Sequence, residues 1–324
     1  MAPYVESQTS QSPTSQLEDE LHDHLRSSLA TPPTARRPVL HHLNADTSWL
    51  LQLPRPTSAI RRGGRVYYNI LIDPWLSGPQ SDVASWFSQQ WHAIEPAVKG
   101  IDGVTRLIWD IEDVASRDIE AERENLKQAN GKRKRISADV GGRKSKRHSN
   151  GANGHIQQEK EDSKNGSRGM CIDAVAVSHE FTDHCHKDTL LEIERDVPVF
   201  ATTKAASLIR SWNHFHSVIE TPVFSSPRSD WRQVSVPPLP EWLSISRLVE
   251  KQDALYYHSA LMIAFNLDAS PVDKVNDRTS SDGAECIIYT PHGIPYAALS
   301  PLSNASPSIQ TLAFLHGLHD VAIS

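Results

Sequence analysis

The sequence predicts an α/β fold, and three observations carry that expectation. Short apolar runs rich in β-branched and aromatic residues recur at strand length, as at Arg65–Asp73 (RVYYNILID) and Cys171–Val177 (CIDAVAV). Helix-period stretches alternate with them, the clearest at Thr203–Trp212, where Ala206, Ile209 and Trp212 share one face. A knot of polar side chains, Ser178–Lys187 (SHEFTDHCHK), stands where one such strand hands over to a helix. Strand ends of this kind face clefts in α/β sheets.

The elements follow in chain order. Ser, Thr, Pro and Gln dominate residues 1–38, a composition that predicts a disordered tail. Gln16–Leu25 there could form a brief helix with Leu17, Leu21 and Leu25 aligned, and His22 and His24 read as solvated. The folded domain is expected over 39–324. His42–Leu53 reads as the entry to a strand pair that stops at Pro54, and Gly63-Gly64 marks a turn into the Arg65–Asp73 strand. Asp73 reads equally as a cleft wall or as a strand terminator. Ser77–Trp91 gathers Trp86, Phe87 and Trp91, which suit core packing or a pocket lid. Val104–Asp110 fits a strand or the start of a helix.

The composition then changes. Residues from about 116 to 169 carry Lys132–Arg135 (KRKR) and Arg143–Arg147 (RKSKR) among Gly, Asn, Ser and Asp, with almost no aliphatic residues after Leu126. Such a stretch buries too little to repay the entropy of ordering, so a disordered insertion between two strands is expected. Its basic clusters could engage an import receptor or nucleic-acid phosphates, or could be incidental charge on a solvated loop. Beyond the polar knot, Val197–Ala201 reads as a strand, followed by the Thr203–Trp212 helix. His214 and His216 at its end suit the helix dipole or the turn. Val218–Phe224 extends the sheet. Trp242 opens a second strand series, with Leu255–Phe265, Glu285–Gly293 and Ser308–His319 as further strands.

Composition excludes several classes. The chain has 324 residues, 38% hydrophobic and 22% charged, long enough for one sizeable core. Its net charge of −6 argues against a nucleic-acid-binding body. Three cysteines without C-x-x-C spacing, Cys171, Cys185 and Cys286, point to a reducing compartment. No apolar run reaches the roughly 20 residues of a membrane span. The N-terminus lacks a signal pattern. Cytosol or nucleus is therefore expected, with no membrane partner.

Within the polar knot, His179, Asp183, His184 and His186 all bear metal-ligating atoms. Imidazole nitrogen with carboxylate oxygen suits zinc, and iron or manganese as the carboxylate share rises. Three donors on one turn could hold an ion while leaving positions open to water.

The run His179–His184, H-x-F-x-D-H, resembles the H-x-H-x-D-H signature of the metallo-β-lactamase-fold hydrolases, with Phe181 where the second histidine stands. The I-L-I-D end of the Arg65–Asp73 strand is similar to the family's opening hairpin, with Trp75 in place of the usual Gly. The resemblance covers roughly Val39–His319 apart from the insertion. It implies an αββα sandwich: two mixed sheets face to face, helices outside, and metal at one edge. It implies a later histidine at a strand start, for which His258 is the candidate. His292 in P-H-G stands where relatives carry a bridging aspartate. Relatives continue with one more strand, helix and histidine, so the end at Ser324 suggests a shortened chain or substitution by His316 or His319. The function implied is a hydrolase that activates water with one or two zinc ions, iron or manganese being possible, acting on a small-molecule substrate. His179, His184 and His258 or His292 would be ligands, and Asp183 a ligand or the group that orients water. The alternative is a catalytically reduced scaffold of the same fold, possibly nuclear.

Overall fold

A computed structural model of the chain describes residues 36–60, 64–81, 89–117, 171–225, 230–250, 258–267 and 283–317. The expectations for the tail up to residue 35, for the basic insertion from residue 118, and for Trp86, Phe87 and His319 fall outside these residues. Two compact units divide the chain. Of the first, Met1–Pro33 with Asp113–Gly169, only the helical residues 113–117 are described. The second, Thr34–Glu112 with Met170–Ser324, carries every strand described.

That unit is built on two mixed sheets. The first holds six strands in chain order: β1 (Val39–His42), β2 (Trp49–Pro54), β3 (Tyr67–Ile72), β4 (Ala174–Val177), β5 (Val199–Ala201) and β6 (Val218–Glu220). Strands β1 to β3 run antiparallel as a meander, and β3 to β6 run parallel. The second holds β7 (Leu243–Val249), β8 (Ser259–Phe265), β9 (Ala284–Thr290) and β10 (Ile309–His316), in the order β10-β9-β8-β7. Only its β9–β10 pair is parallel. Helical backbone covers residues 100–112 of this unit (α1), and α2 (Lys187–Leu191), α3 (Thr203–Ser211) and α4 (Ser300–Ser303) follow.

Parallel strands buried on both faces need continuous apolar runs, and β3 and β4 are buried at every position. Successive side chains then divide between two clusters. Leu71, Val175, Val177 and Val199 pack with Ile101, Val104 and Ile108 of α1 and with Ala205, Ala206 and Ile209 of α3. Ile70, Ile72, Ala174, Ala176 and Phe200 join a cluster with Leu243, Ile245, Leu261, Ile263, Ile287 and Tyr289 of the second sheet. A third cluster sets Met262, Ala264, Cys286 and Ile288 against Phe224, Trp231 and the partly buried Leu299. The open choice at Val104–Asp110 resolves as helix, because Ile101, Val104 and Ile108 repeat at three- and four-residue spacing.

At the N-terminal end of β4, Asp173 accepts hydrogen bonds from Arg55 at 2.8 Å, from Arg65 at 2.7 and 2.5 Å, and from the Asn69 amide at 2.8 Å. This charged network pins the β2–β3 hairpin to β4. The opposite, C-terminal ends of β3, β4 and β5 lie side by side and carry Asp73, Ser178 and Thr202 as the next residues. Among the described residues, no helix is long and apolar enough to cross a membrane.

Candidate metal centre

Parallel pairing puts Asp73 and Ser178 together, 105 residues apart in sequence. Asp73 is fully buried at a positive φ of 43°, a conformation that Asp tolerates better than most residues. Strain of this kind persists where many contacts fix the residue, and here the carboxylate is the fixed point. Its Oδ1 accepts from the Ser178 amide at 2.7 Å. Its Oδ2 accepts from the Ser178 hydroxyl and from His184 Nδ1, the latter at 2.7 Å.

These bonds set both histidine tautomers. His184 Nδ1 faces a carboxylate and must donate to it, so Nε2 carries the lone pair. The Ser178 hydroxyl spends its proton on Asp73 and therefore accepts from His179 Nδ1 at 2.9 Å. His179 Nε2 is then a lone-pair donor as well. A carboxylate behind an imidazole in this way is the usual second layer of a metal site.

The turn after Ser178 brings the two rings together. The Phe181 carbonyl accepts from the His184 amide at 3.0 Å and the Cys185 amide at 2.7 Å, folding the chain back on itself. The rings of His179 and His184 have centroids 5.3 Å apart. His292, two residues beyond β9, completes the group, its centroid 4.8 Å from that of His179 and 5.1 Å from that of His184. One ring nitrogen of each histidine lies within 4.8 Å of the others, and His179 and His184 are buried. These three could hold a metal ion. His184 Nε2 is buried, makes no hydrogen bond, and stands 3.4 Å from Asp183 Oδ2. A buried nitrogen in that state costs on the order of 1–3 kcal/mol, a cost that a cation would remove.

The other sequence candidates fall in different places. Asp183 is beside the group, with its carbonyl accepting from Thr47 Oγ1 at 2.5 Å and its side chain partly exposed. His258 precedes β8; continuing the Leu261↔Tyr289 register by three places sets it opposite His292, but it is not in the three-histidine group. His186 caps the N-terminus of α2, its Nδ1 accepting from the Thr189 amide at 3.3 Å. His214 Nε2 bonds the Ile193 carbonyl at 2.8 Å and His216 pairs with Asp196 at 2.7 Å, both away from the centre. His316 is exposed, with its ring against Gly293: a Cβ on that glycine, whose φ is +84°, would lie 3.2 Å from His316 Nε2. Phe181 stacks parallel to His179 at 5.9 Å and edge-on to His292 at 6.1 Å, so an aromatic ring borders the group. Cys185 is a core thiol, pushed up well above its ordinary range by burial and by the charges of Asp73 and Glu180.

Local electrostatics follow from Asp73. Burial, the largest influence on His184, lowers its pKa, but the charge and hydrogen bond of Asp73, with help from Asp183 and Asp46, carry it above the ordinary value. A cation on Nε2 would take the place of a second proton there. Tyr289, fully buried, gives its hydroxyl to the Thr47 carbonyl at 3.1 Å, and burial with the nearby Asp73 charge holds it well above the usual phenol range.

No protein-family model matches the chain, and no curated protein matches it. Among solved structures, the crystal structure of isothiocyanate hydrolase from Delia radicum gut bacteria is similar, with a TM-score of 0.35 and 12% identity. The match takes in 82% of this chain and 66% of that one, so the chain spans a little under two thirds of its length.

Proposed function

We propose that the chain is a metal-dependent hydrolase of the metallo-β-lactamase fold, with two sheets as the inner layers of an αββα sandwich and an ion on His179, His184 and His292. The observation that carries this reading is the three-imidazole group, two of whose lone pairs are directed by a single buried carboxylate. Three nitrogen donors suit zinc, with iron the nearest alternative. A bound ion of this kind supplies Lewis acidity, bringing the pKa of water toward about 7.

The protein's own residues do the rest. Asp73 holds the histidines in the tautomers that ligation needs. Asp183, 3.4 Å from His184 Nε2, would accept a proton from an incoming water and orient it. Phe181 supplies no donor on its flank, which favours a single ion over a pair. The substrate is a small molecule. His258, opposite His292 when the β8–β9 register is continued, is the residue to test as a further ligand.

The full chain loaded with zinc should hydrolyse at least one member of a panel of esters, thioesters, lactones and phosphodiesters. Turnover should vanish with a chelator and in His184→Ala, and return on adding zinc to the wild type alone. Turnover indifferent to the chelator would overturn the reading. Phe181 also favours a second reading, a catalytically reduced scaffold in which the basic insertion meets an import receptor or nucleic acid. That reading requires a folded protein that binds metal without turnover and loses nuclear accumulation when residues 128–150 are removed.

A further inference from the structure

A cavity beside the three histidines narrows the substrate that the hydrolase reading leaves open. Its volume is about 460 Å³, within the range of small-molecule sites. Its walls are tied to the candidate centre. Thr47 lines it and reaches Asp183 through its hydroxyl and Tyr289 through its carbonyl. Pro291, also in the wall, is the residue before His292. The cavity thus adjoins the candidate centre through Thr47 and Pro291, while His179, Asp183, His184 and His292 are not among its described lining residues.

The cavity has a flat apolar side. His42 stacks on Trp49 with centroids 3.9 Å apart and planes 5° from parallel, a rigid shelf of two rings. Leu315 adds aliphatic surface, and Ile94 does so while 67% exposed, with no core of its own to enter. Rigid rings give contact area at low entropic cost.

Among its described lining residues there is no lysine or arginine; the one carboxylate is Asp46, and His42 and His316 are the imidazoles. The backbone of Asp46 is fixed: its amide donates to Asn44 Oδ1 at 3.0 Å and its carbonyl accepts from His42 Nε2 at 3.0 Å. Asn44 Oδ1 also accepts from the Ser48 amide at 2.9 Å, locking the β1–β2 turn. In the metal-free chain, an anion at this lip meets the like charge of the exposed Asp46 side chain, and no lysine or arginine among the described lining residues offsets it.

We propose that this cavity is the substrate pocket of the hydrolase read above, and that it takes small molecules without negative charge. A flat apolar group would lie against Trp49 and Leu315, with the scissile bond toward His292. In the metal-free chain the pocket would disfavour carboxylates and phosphates.

Binding to the metal-free full chain tests this without relying on turnover. The probes are acetanilide and its carboxylate counterpart 4-acetamidobenzoate, with affinities read from ligand-observed NMR titrations. The neutral probe should bind about fivefold more tightly than the anion, as one solvent-screened charge at close range would give. Asp46→Asn should close that gap. Ile94→Arg, at an exposed position where folding is not at stake, should reverse it. Equal affinities in the wild type, tighter binding of the anion, a gap indifferent to Asp46→Asn, or no saturable binding of either probe would each overturn the proposal. Discrimination that persists in a chain that hydrolyses nothing would support the pocket and reject the hydrolase reading, so the two fail separately.

Discussion

Asp73→Asn is the substitution that probes the centre most sharply, because it changes almost nothing in shape. Three donors converge on the carboxylate: the Ser178 amide, the Ser178 hydroxyl and His184 Nδ1. An asparagine can serve the Ser178 amide through its one oxygen. Its NH₂ group then faces the Ser178 hydroxyl and His184 Nδ1, which are donors themselves. His184 must lose its bond or move the proton to Nε2, where a metal would need the lone pair. Loss of one charge-assisted hydrogen bond costs about 1.5–3 kcal/mol. Second-layer changes of this type weaken metal binding by roughly 10- to 100-fold, or about 1.4–2.7 kcal/mol. Competition against a chromophoric chelator measures the zinc affinity, and guanidinium unfolding of the metal-free protein measures stability. Weaker zinc binding of that size is expected, with a metal-free form less stable by about 1–3 kcal/mol. Zinc affinity unchanged to within about twofold would refute the role given to Asp73.

Further outcomes follow from the same structure. Asp173→Ala strands Arg55 and Arg65 at the far end of β4, so unfolding measurements should show a loss of about 3–5 kcal/mol while the zinc affinity of the folded protein stays the same. Phe181→His adds an imidazole beside His179 and His292, and chelator competition should show tighter zinc binding. Zinc at about 100 times its dissociation constant should stabilise the wild type by about 2.7 kcal/mol, an increment visible in chemical unfolding and absent in His184→Ala.

Much of the layout was legible in local sequence, because buried parallel strands and amphipathic helices write their period directly. Cys171–Val177 announced β4, and the Ala206–Ile209 spacing announced α3. The donor-rich turn was equally visible. What it would do with each donor was not. His186 lies two residues from His184, yet the start of α2 claims it as an N-cap. His258 at a strand start and His292 in P-H-G stood as alternative ligands, since the turn after Thr290 decides which ring reaches His179. Asp73 was the residue most underrated. Its strand-terminating position gave no sign of its partners, which belong to β4 and the turn beyond it. The signal available was a carboxylate ending a fully apolar strand, a position where burial demands compensation.

The shared focus of the imidazoles is tested most directly by counting metal. Elemental analysis of the purified full chain after zinc loading and desalting should give one equivalent, reduced to near zero in His179→Ala, His184→Ala and His292→Ala alike. Zinc absent from the folded wild type, or retained in His292→Ala, would mean that these rings do not share an ion.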